Sequence, residues 1–447
     1  MPTLPSSLTA ITSLLRRVFT VPTAETFESL LAGFIATIGE HTVCGMWQGA
    51  GLASDFHHSR AHGFFSRARW SHEELGLRLL GILVNLFVPD GEPILIAVDG
   101  SLFRRSGPKV FGARWHYDSS VGPSGGLRFG NCFVVAGLMV KIPALGKRTW
   151  CLPVLARLWV PPPKGATKAE RRDHPSQQMI AGELISLIAK RFPKRRIHAV
   201  GDCAFACKAM APTDSNVTMT ARLKANAVIH GPKPPPTGRP GRPRVMGKRL
   251  GNPAEIVAAA KPGDWEAVEV EGRGVVQVLV VRGLWYSAFG PTPIKEVIIC
   301  EPGEGDGKTR YFALITTDID ASAAEIIARY ADRWSIEVAF QDAKQLTGVG
   351  EARSRSPKAV ERTVPFGLIC QSIAVAWYAL NADPAADVQR RRQAAPWYKS
   401  KRDPSMADIL AALRREMIRV EYSAGTGEGP RLGEIPGVQR GCGVRAA

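Results

Sequence analysis

A mixed α/β fold, a five-stranded sheet flanked by helices, is the expectation from three features of this sequence. Apolar positions keep helical spacing over the first 88 residues. From Glu92 they give way to short apolar runs bounded by Gly and Pro, and after residue 320 the helical spacing returns.

In chain order, Thr23 can cap a helix carrying Phe27, Leu30, Leu31, Phe34, Ile35 and Ile38 on helical spacing. Ser71-His-Glu-Glu74 forms a capping box for a second helix, which Pro89 ends. The basic, aromatic segment 56–70 lies between them, so residues 1–88 read as an N-terminal helical DNA-binding domain, with a purely structural helical lid as the plainer account. Ile94–Val98, Asn131–Val140 and Thr149–Trp159 read as three strands. Gln177–Arg191 then reads as a helix and Ile197–Val200 as a fourth strand, and Tyr311–Thr316 supplies a fifth. About 135 residues separate Asp202 from Glu337, too many for a simple crossover. Strand-like runs at Val217–Leu223, Trp265–Val270, Val275–Val281 and Ile294–Cys300 predict an inserted β-rich subdomain over 216–310. The sheet-and-helix core would then occupy 89–215 and 311–385. Residues 386–447 form a basic C-terminal helical region whose Gly-rich end, from Ser423, is expected to be disordered.

Fifty-eight Lys and Arg against forty Asp and Glu give a net charge of +18. Such an excess favours a polyanion, because binding releases condensed counterions. Nucleic acid is the expected partner rather than a membrane, since no apolar run reaches the ~18 residues a span requires. Leu8–Leu15 precedes rather than follows Arg16 and Arg17, unlike a secretory signal. Eight scattered cysteines without a Cys-x-x-Cys pair suit reduced thiols and a cytoplasmic, nucleoid-associated protein. Cys203 and Cys207 lack a second pair, and His57, His58 and His62 sit among arginines and aromatics, so zinc is not expected at either place.

The chemistry concentrates in Tyr330-Ala-Asp-Arg-Trp-Ser-Ile-Glu-Val-Ala-Phe-Gln-Asp-Ala-Lys344. On one continuous helix Tyr330, Arg333, Glu337 and Lys344 would share a wedge of roughly 60°. The bland account is a surface i,i+4 pair beside an apolar stripe. Two further acids outweigh it. Asp99 follows Pro93-Ile-Leu-Ile-Ala-Val98 and Asp202 follows Arg196-Ile-His-Ala-Val-Gly201, each at the expected end of a core strand. Three carboxylates on rigid elements can hold two divalent cations about 3.5–4 Å apart, the arrangement that drives in-line phosphoryl transfer. Magnesium suits such a site.

At these residues the sequence resembles a bacterial insertion-sequence DDE transposase with the Tyr-x2-Arg-x3-Glu-x6-Lys signature. The resemblance extends over roughly residues 25–385 and implies an RNase H-like core. It further implies catalytic, metal-holding Asp99, Asp202 and Glu337 with two Mg²⁺ ions, for which Mn²⁺ can substitute. Tyr330, Arg333 and Lys344 would hold DNA phosphates near the element's ends. A working homodimer, a hairpin intermediate and an insertion tryptophan stacked on a flipped base complete the implied picture, Trp265 and Trp285 being the candidates. Within 231–250, Gly238-Arg-Pro-Gly-Arg-Pro-Arg244 resembles a minor-groove hook that would make Arg239 and Arg242 DNA-binding; a cationic loop without sequence readout is the simpler account. The expected activity is Mg²⁺-dependent cleavage at element ends and joining of the 3′ hydroxyl to target DNA. The rivals are a hydrolytic nuclease on the same fold and a catalytically silent, transposase-derived DNA-binding protein.

Overall fold

The computed structural model describes residues 4–118, 126–163, 165–235, 244–301 and 310–426. Helices Ser6–Leu15, Val21–Ala36, Val43–Gly49, Ser59–Ser66 and His72–Phe87 open the chain. The second begins before Thr23, because Pro22 in its first turn lacks only an N–H that would have no intrahelical acceptor. Ser71 Oγ accepts from the Glu74 N–H at 3.2 Å, and the helix it starts stops at Phe87, two residues before Pro89. Gly76 lets that helix lie directly on the sheet: a Cβ there would stand 1.9 Å from the Val154 carbonyl oxygen.

The first helices do not stand apart as a separate unit. Phe27, Phe64, Phe65 and Trp70 are buried in the main core, and Phe366 meets the three phenylalanines edge-on. Phe366 belongs to the helix Pro357–Asn381, buried along nearly all its length. From the same helix, the buried Arg362 donates to the carbonyls of Phe65, Ala68 and Trp70 and lies 4.6 Å over the Trp70 ring. The aromatic residues of 56–70 are therefore core, and Arg60 is held by Glu25 and Thr26. By length and composition Pro357–Asn381 could cross a membrane, but 89% of its apolar window is buried inside the protein.

Twelve strands among the described residues join in one sheet: β1 (Ile94–Arg104), β2 (Arg114–Asp118), β3 (Gly126–Lys141), β4 (Thr149–Trp159), β5 (Ile197–Gly201), β6 (Val217–Arg222), β7 (Ile229–His230), β8 (Arg249–Gly251), β9 (Trp265–Val270), β10 (Gly274–Leu284), β11 (Pro293–Glu301) and β12 (Arg310–Thr316). The inner half runs β4-β3-β1-β5-β6. β1 is antiparallel to β3 and β3 to β4, whereas β5 is parallel to β1 and β6 parallel to β5. The mixed five-stranded sheet expected from the sequence is thus present, with one exchange. Its fifth place is taken by β6, a segment that sequence pattern assigns to the insertion. Tyr311–Thr316, in β12, lies one place further out, antiparallel to β6. Apolar periodicity cannot distinguish these two strands, since only pairing decides which sits inside. β11 and β10 extend the sheet beyond β12, and β10 pairs with β9 on one stretch and with β7 on another. The inserted strands therefore prolong the same sheet rather than forming a second one.

Two apolar clusters support the two halves. The larger joins the first helices, Pro357–Asn381, the inner strands and one face of the outer strands, through Leu279, Ile294, Ile298 and Ile315. The smaller gathers Val270, Val278, Val297, Ile299, Leu314, Ile326 and Ile327 under the outer strands. A buried polar chain stitches the halves together. His198 on β5 bonds the hydroxyls of Thr218 and Thr220 on β6, at 2.8 and 2.9 Å, and Thr220 Oγ1 bonds Thr316 Oγ1 of β12 at 3.0 Å. Burial drives the His198 pKa down to about 3, so the ring is neutral and fits this hydroxyl network.

The helix expected through residues 330–344 is two helices, Ala323–Asp332 and Trp334–Gln345. Ser322 and Glu325 cap the first reciprocally, as their spacing predicts. At the junction the bonding tightens, Arg333 N–H reaching the Tyr330 carbonyl and Ile336 N–H the Arg333 carbonyl. The cause lies in the packing. Ile326 and Ile327 enter the small cluster, while Ile336, Ala339, Phe340 and Ala343 enter the large one.

Candidate active site

Asp99 does not end its strand. β1 continues to Arg104, and Asp99 stands opposite Val135 of β3. What ends is the neighbour: β1 and β5 pair only as far as Ala97 and Val200. Asp99 thus lies just past the carboxyl end of the parallel pair, where an open α/β sheet exposes side chains to ligands. Asp202 follows the last residue of β5 and reaches the same place. Its Oδ1 accepts from the N–H groups of Ala204 and Phe205, at 2.8 and 3.3 Å, which fixes the turn after the strand.

Glu337, on the first turn of Trp334–Gln345, is brought to Asp99 by Arg333. Arg333 Nη1 donates to Asp99 Oδ2 at 3.2 Å and Nη2 to Glu337 Oε1 at 2.8 Å. The Arg333 side chain is nearly buried, and its Nε has no partner. The pKa of Asp99 is raised to about 6. Burial is the main cause, the charge of Asp202 adds to it and that of Glu337 adds less; the Gly100 N–H and Arg333 pull the other way. The three carboxylates therefore share one electrostatic site.

Tyr330 packs against both apolar clusters, its ring 5.4 Å from Phe312 and 5.7 Å from the Arg333 guanidinium. Lys344 is exposed, with Nζ 5.4 Å over the Phe103 ring. The structure thus gathers Asp99, Asp202, Tyr330, Arg333 and Glu337, with Lys344 further along the same sheet face. It does not put Arg333 on the solvent-facing surface, where a phosphate contact is expected from the sequence. Arg239 and Arg242 lie outside the described residues. Trp285 is buried against Phe289, and Trp265 is half-buried 5.9 Å from Tyr311. The segment after Asp99 holds a structural residue that spacing could not show. Arg105 Nε donates to Asn131 Oδ1 at 2.9 Å, and its Nη1 reaches the carbonyls of Gly350 and Ala352, tying the loop beyond Lys344 to the sheet.

Among the described residues no three His, Cys, Asp or Glu side chains form a ready-made metal set. The donor chemistry nevertheless fits a hard divalent cation. Only carboxylate oxygens meet here, their mutual repulsion adding to the burial that lifts Asp99, with one guanidinium as the local counter-charge. His57, His58 and His62 cluster elsewhere, His62 Nε2 lying 3.4 Å from Cys44 Sγ.

Comparison with curated proteins gave no match. Residues 15–277, more than half of the chain, match the family described as DDE superfamily endonuclease, over a span that contains Asp99 and Asp202 and ends before Glu337. DNA is the substrate such a domain implies, and its relatives generally use divalent metals. With the mixed sheet and the convergent acids, the match shows that this chain belongs to the DDE superfamily endonucleases.

Proposed function

We propose that this chain is a DNA transposase that cuts at the ends of its own element and joins the freed 3′ hydroxyl to target DNA. The observation that carries this reading is the coupling of Asp99 to Asp202 and Glu337 beside one buried arginine. Asp99, Asp202 and Glu337 would hold Mg²⁺, which when bound activates the attacking oxygen and stabilises the leaving one. Arg333 keeps the acids together before loading and, once their charge is neutralised, has a guanidinium to offer a phosphate. Tyr330 and Lys344 flank that position and would fix the strand for in-line attack. Arg239 and Arg242 would add contacts beyond the cut, and a homodimer acting on nucleoid DNA would hold two ends at once. The long insertion and the Tyr/Arg/Lys group favour this reading over a hydrolytic nuclease, which has no need to grip a defined end.

The test uses a duplex carrying the element's terminal sequence, Mg²⁺ and a target plasmid. Wild type should cut and then join. Asp99→Ala, Asp202→Ala and Glu337→Ala should each lower cutting at least ~100-fold, the scale of losing one essential catalytic group, while still shifting the end duplex in a gel. Cutting without joining would make the protein a hydrolytic nuclease. Near wild-type cutting by any one variant would remove that residue from the triad.

A further inference from the structure

A cleft of about 530 Å³ lies behind the Glu337 helix, within the size range of small-molecule sites. Five of its lining residues, Trp334, Ser335, Val338, Ala339 and Asp342, belong to that helix. At ~100° per residue they cover an arc of about 140°, and Glu337 and Lys344 fall roughly 130–150° from its middle. The cleft therefore sits on the side of the helix away from the carboxylates, and no catalytic role uses it. Leu152 and Pro153 of β4 and Val375 of Pro357–Asn381 supply apolar wall, as do Ala328 and Ala331 of Ala323–Asp332. Both helices that meet at Arg333 thus face the same space.

The charges around the cleft cancel. Lys141, Lys147 and Arg148 line it against Glu271, Asp332 and Asp342. Lys141 Nζ is held by Glu271 at 2.7 Å, and the Arg148 guanidinium lies 3.7 Å over the Trp150 ring. Burial raises the carboxyls of Asp332 and Asp342, the second to about 6. Balanced charge and apolar walls suit a neutral ligand, since an ion would lose its hydration without a net opposite charge to meet. One buried group defines what that ligand must carry. Gln371 lines the cleft and is only 4% exposed. Its Nε2 donates to the Ala339 carbonyl at 3.1 Å, whereas its Oε1 has no partner among the described residues. A buried acceptor without a donor is costly, and a ligand that brings an N–H or O–H to Gln371 removes that cost.

We propose that this cleft binds a neutral, largely apolar small molecule that donates one hydrogen bond to Gln371 Oε1, and that its occupant stiffens the helix junction at Arg333. Neither part depends on DNA cleavage. The full chain is titrated calorimetrically with indole, which carries one N–H donor, and with indene, which has the same shape without it. Indole should bind with a Kd on the order of 0.1–1 mM, and indene about fivefold more weakly, the effect of losing one neutral hydrogen bond. Gln371→Met should lower indole to the level of indene. Val338→Trp, which fills the cleft from a half-buried position, should abolish binding of both and decides the matter if Gln371→Met does not fold. At about three times its Kd, indole should slow hydrogen exchange across residues 330–337 roughly three- to fourfold in wild type and leave Val338→Trp unchanged. Equal affinity of wild type for the two probes overturns the site. So does indole binding that survives either substitution unaltered, or no binding of indole by about 5 mM. Indole binding with unchanged exchange across 330–337 overturns the stiffening.

Discussion

The inner and outer halves of the sheet are built from similar strands but supported differently. Beneath β4-β3-β1-β5-β6 lies a core to which the first helices, Pro357–Asn381 and the Glu337 helix all contribute. The outer strands turn one face to that same core, through Leu279, Ile294, Ile298 and Ile315, and rest the other on a separate cluster of eight buried residues. Asp99, Asp202 and Glu337 all stand on the well-supported half, whereas Tyr330 straddles both. Catalytic acids must be held to within a fraction of an ångström, so they belong where many packed neighbours fix each rotamer. A region that carries none of these acids can rest on less.

The comparison is tested most severely by truncating equivalent apolar side chains. Phe366→Ala, at the centre of the aromatic cluster, should cost about 3–5 kcal/mol and lower cleavage by reducing the folded population. A destabilisation under about 2 kcal/mol in urea unfolding would mean the first helices are held by other residues. Ile336 and Ile326, both fully buried, lie on either side of the Arg333 junction. Ile336→Ala should cost about 3–4 kcal/mol and Ile326→Ala nearer 2, since a small cluster under an edge collapses more readily around a cavity. Equal costs in the same titration would erase the distinction between the halves.

A smaller effect of opposite sign is expected at Asp99. Its carboxyl is raised in the fold to about 6, so between the ordinary carboxylate value and 6 the folded protein binds more protons than the unfolded chain. Its contribution is therefore most favourable below about pH 4, declines as pH rises towards 6 and is flat above. Asp99→Asn should stabilise the metal-free protein at pH 7 by about 1–3 kcal/mol while abolishing cleavage. A lower melting temperature for the variant would mean that the Arg333 fork outweighs the repulsion. The smallest effect on stability belongs to the basic segment of the insertion. Gly231 N–H donates to the Lys248 carbonyl at 2.8 Å and Gly247 N–H to the Gly231 carbonyl at 3.1 Å, so the ends are already together. Deleting 233–244 should change stability by less than about 0.5 kcal/mol. It should also reduce the salt slope of DNA binding by roughly one for each phosphate the segment neutralises. An unchanged slope would exclude Arg239 and Arg242 from the DNA interface.

Much of the inner half is legible in the sequence because its signals are local. Five apolar residues running into Asp99, and a shorter run into Asp202, mark core strands whatever else the chain does. What stays hidden depends on partners far away in sequence. Asp99 looks like a strand end because Gly100 follows it, but β3 keeps the strand going. The 330–344 helix looks continuous because its polar residues align, yet its apolar residues belong to two cores. Pro357–Asn381 is buried all round and so shows no single apolar face. Arg114-Trp-His-Tyr-Asp118 alternates with a period of two, but neither face is a core face, so by sequence it reads as irregular.

The aromatic cluster around Phe366 also sets a timetable for synthesis. Phe27, Phe64, Phe65 and Trp70 leave the ribosome among the first residues, while Phe366 and Arg362, which cover and bond them, come nearly 300 residues later. At ~5–20 residues per second the emerging chain exposes those rings for roughly a quarter of a minute to a minute. Until then those rings can be covered only by one another or by a chaperone, so this packing is completed after synthesis has passed Phe366.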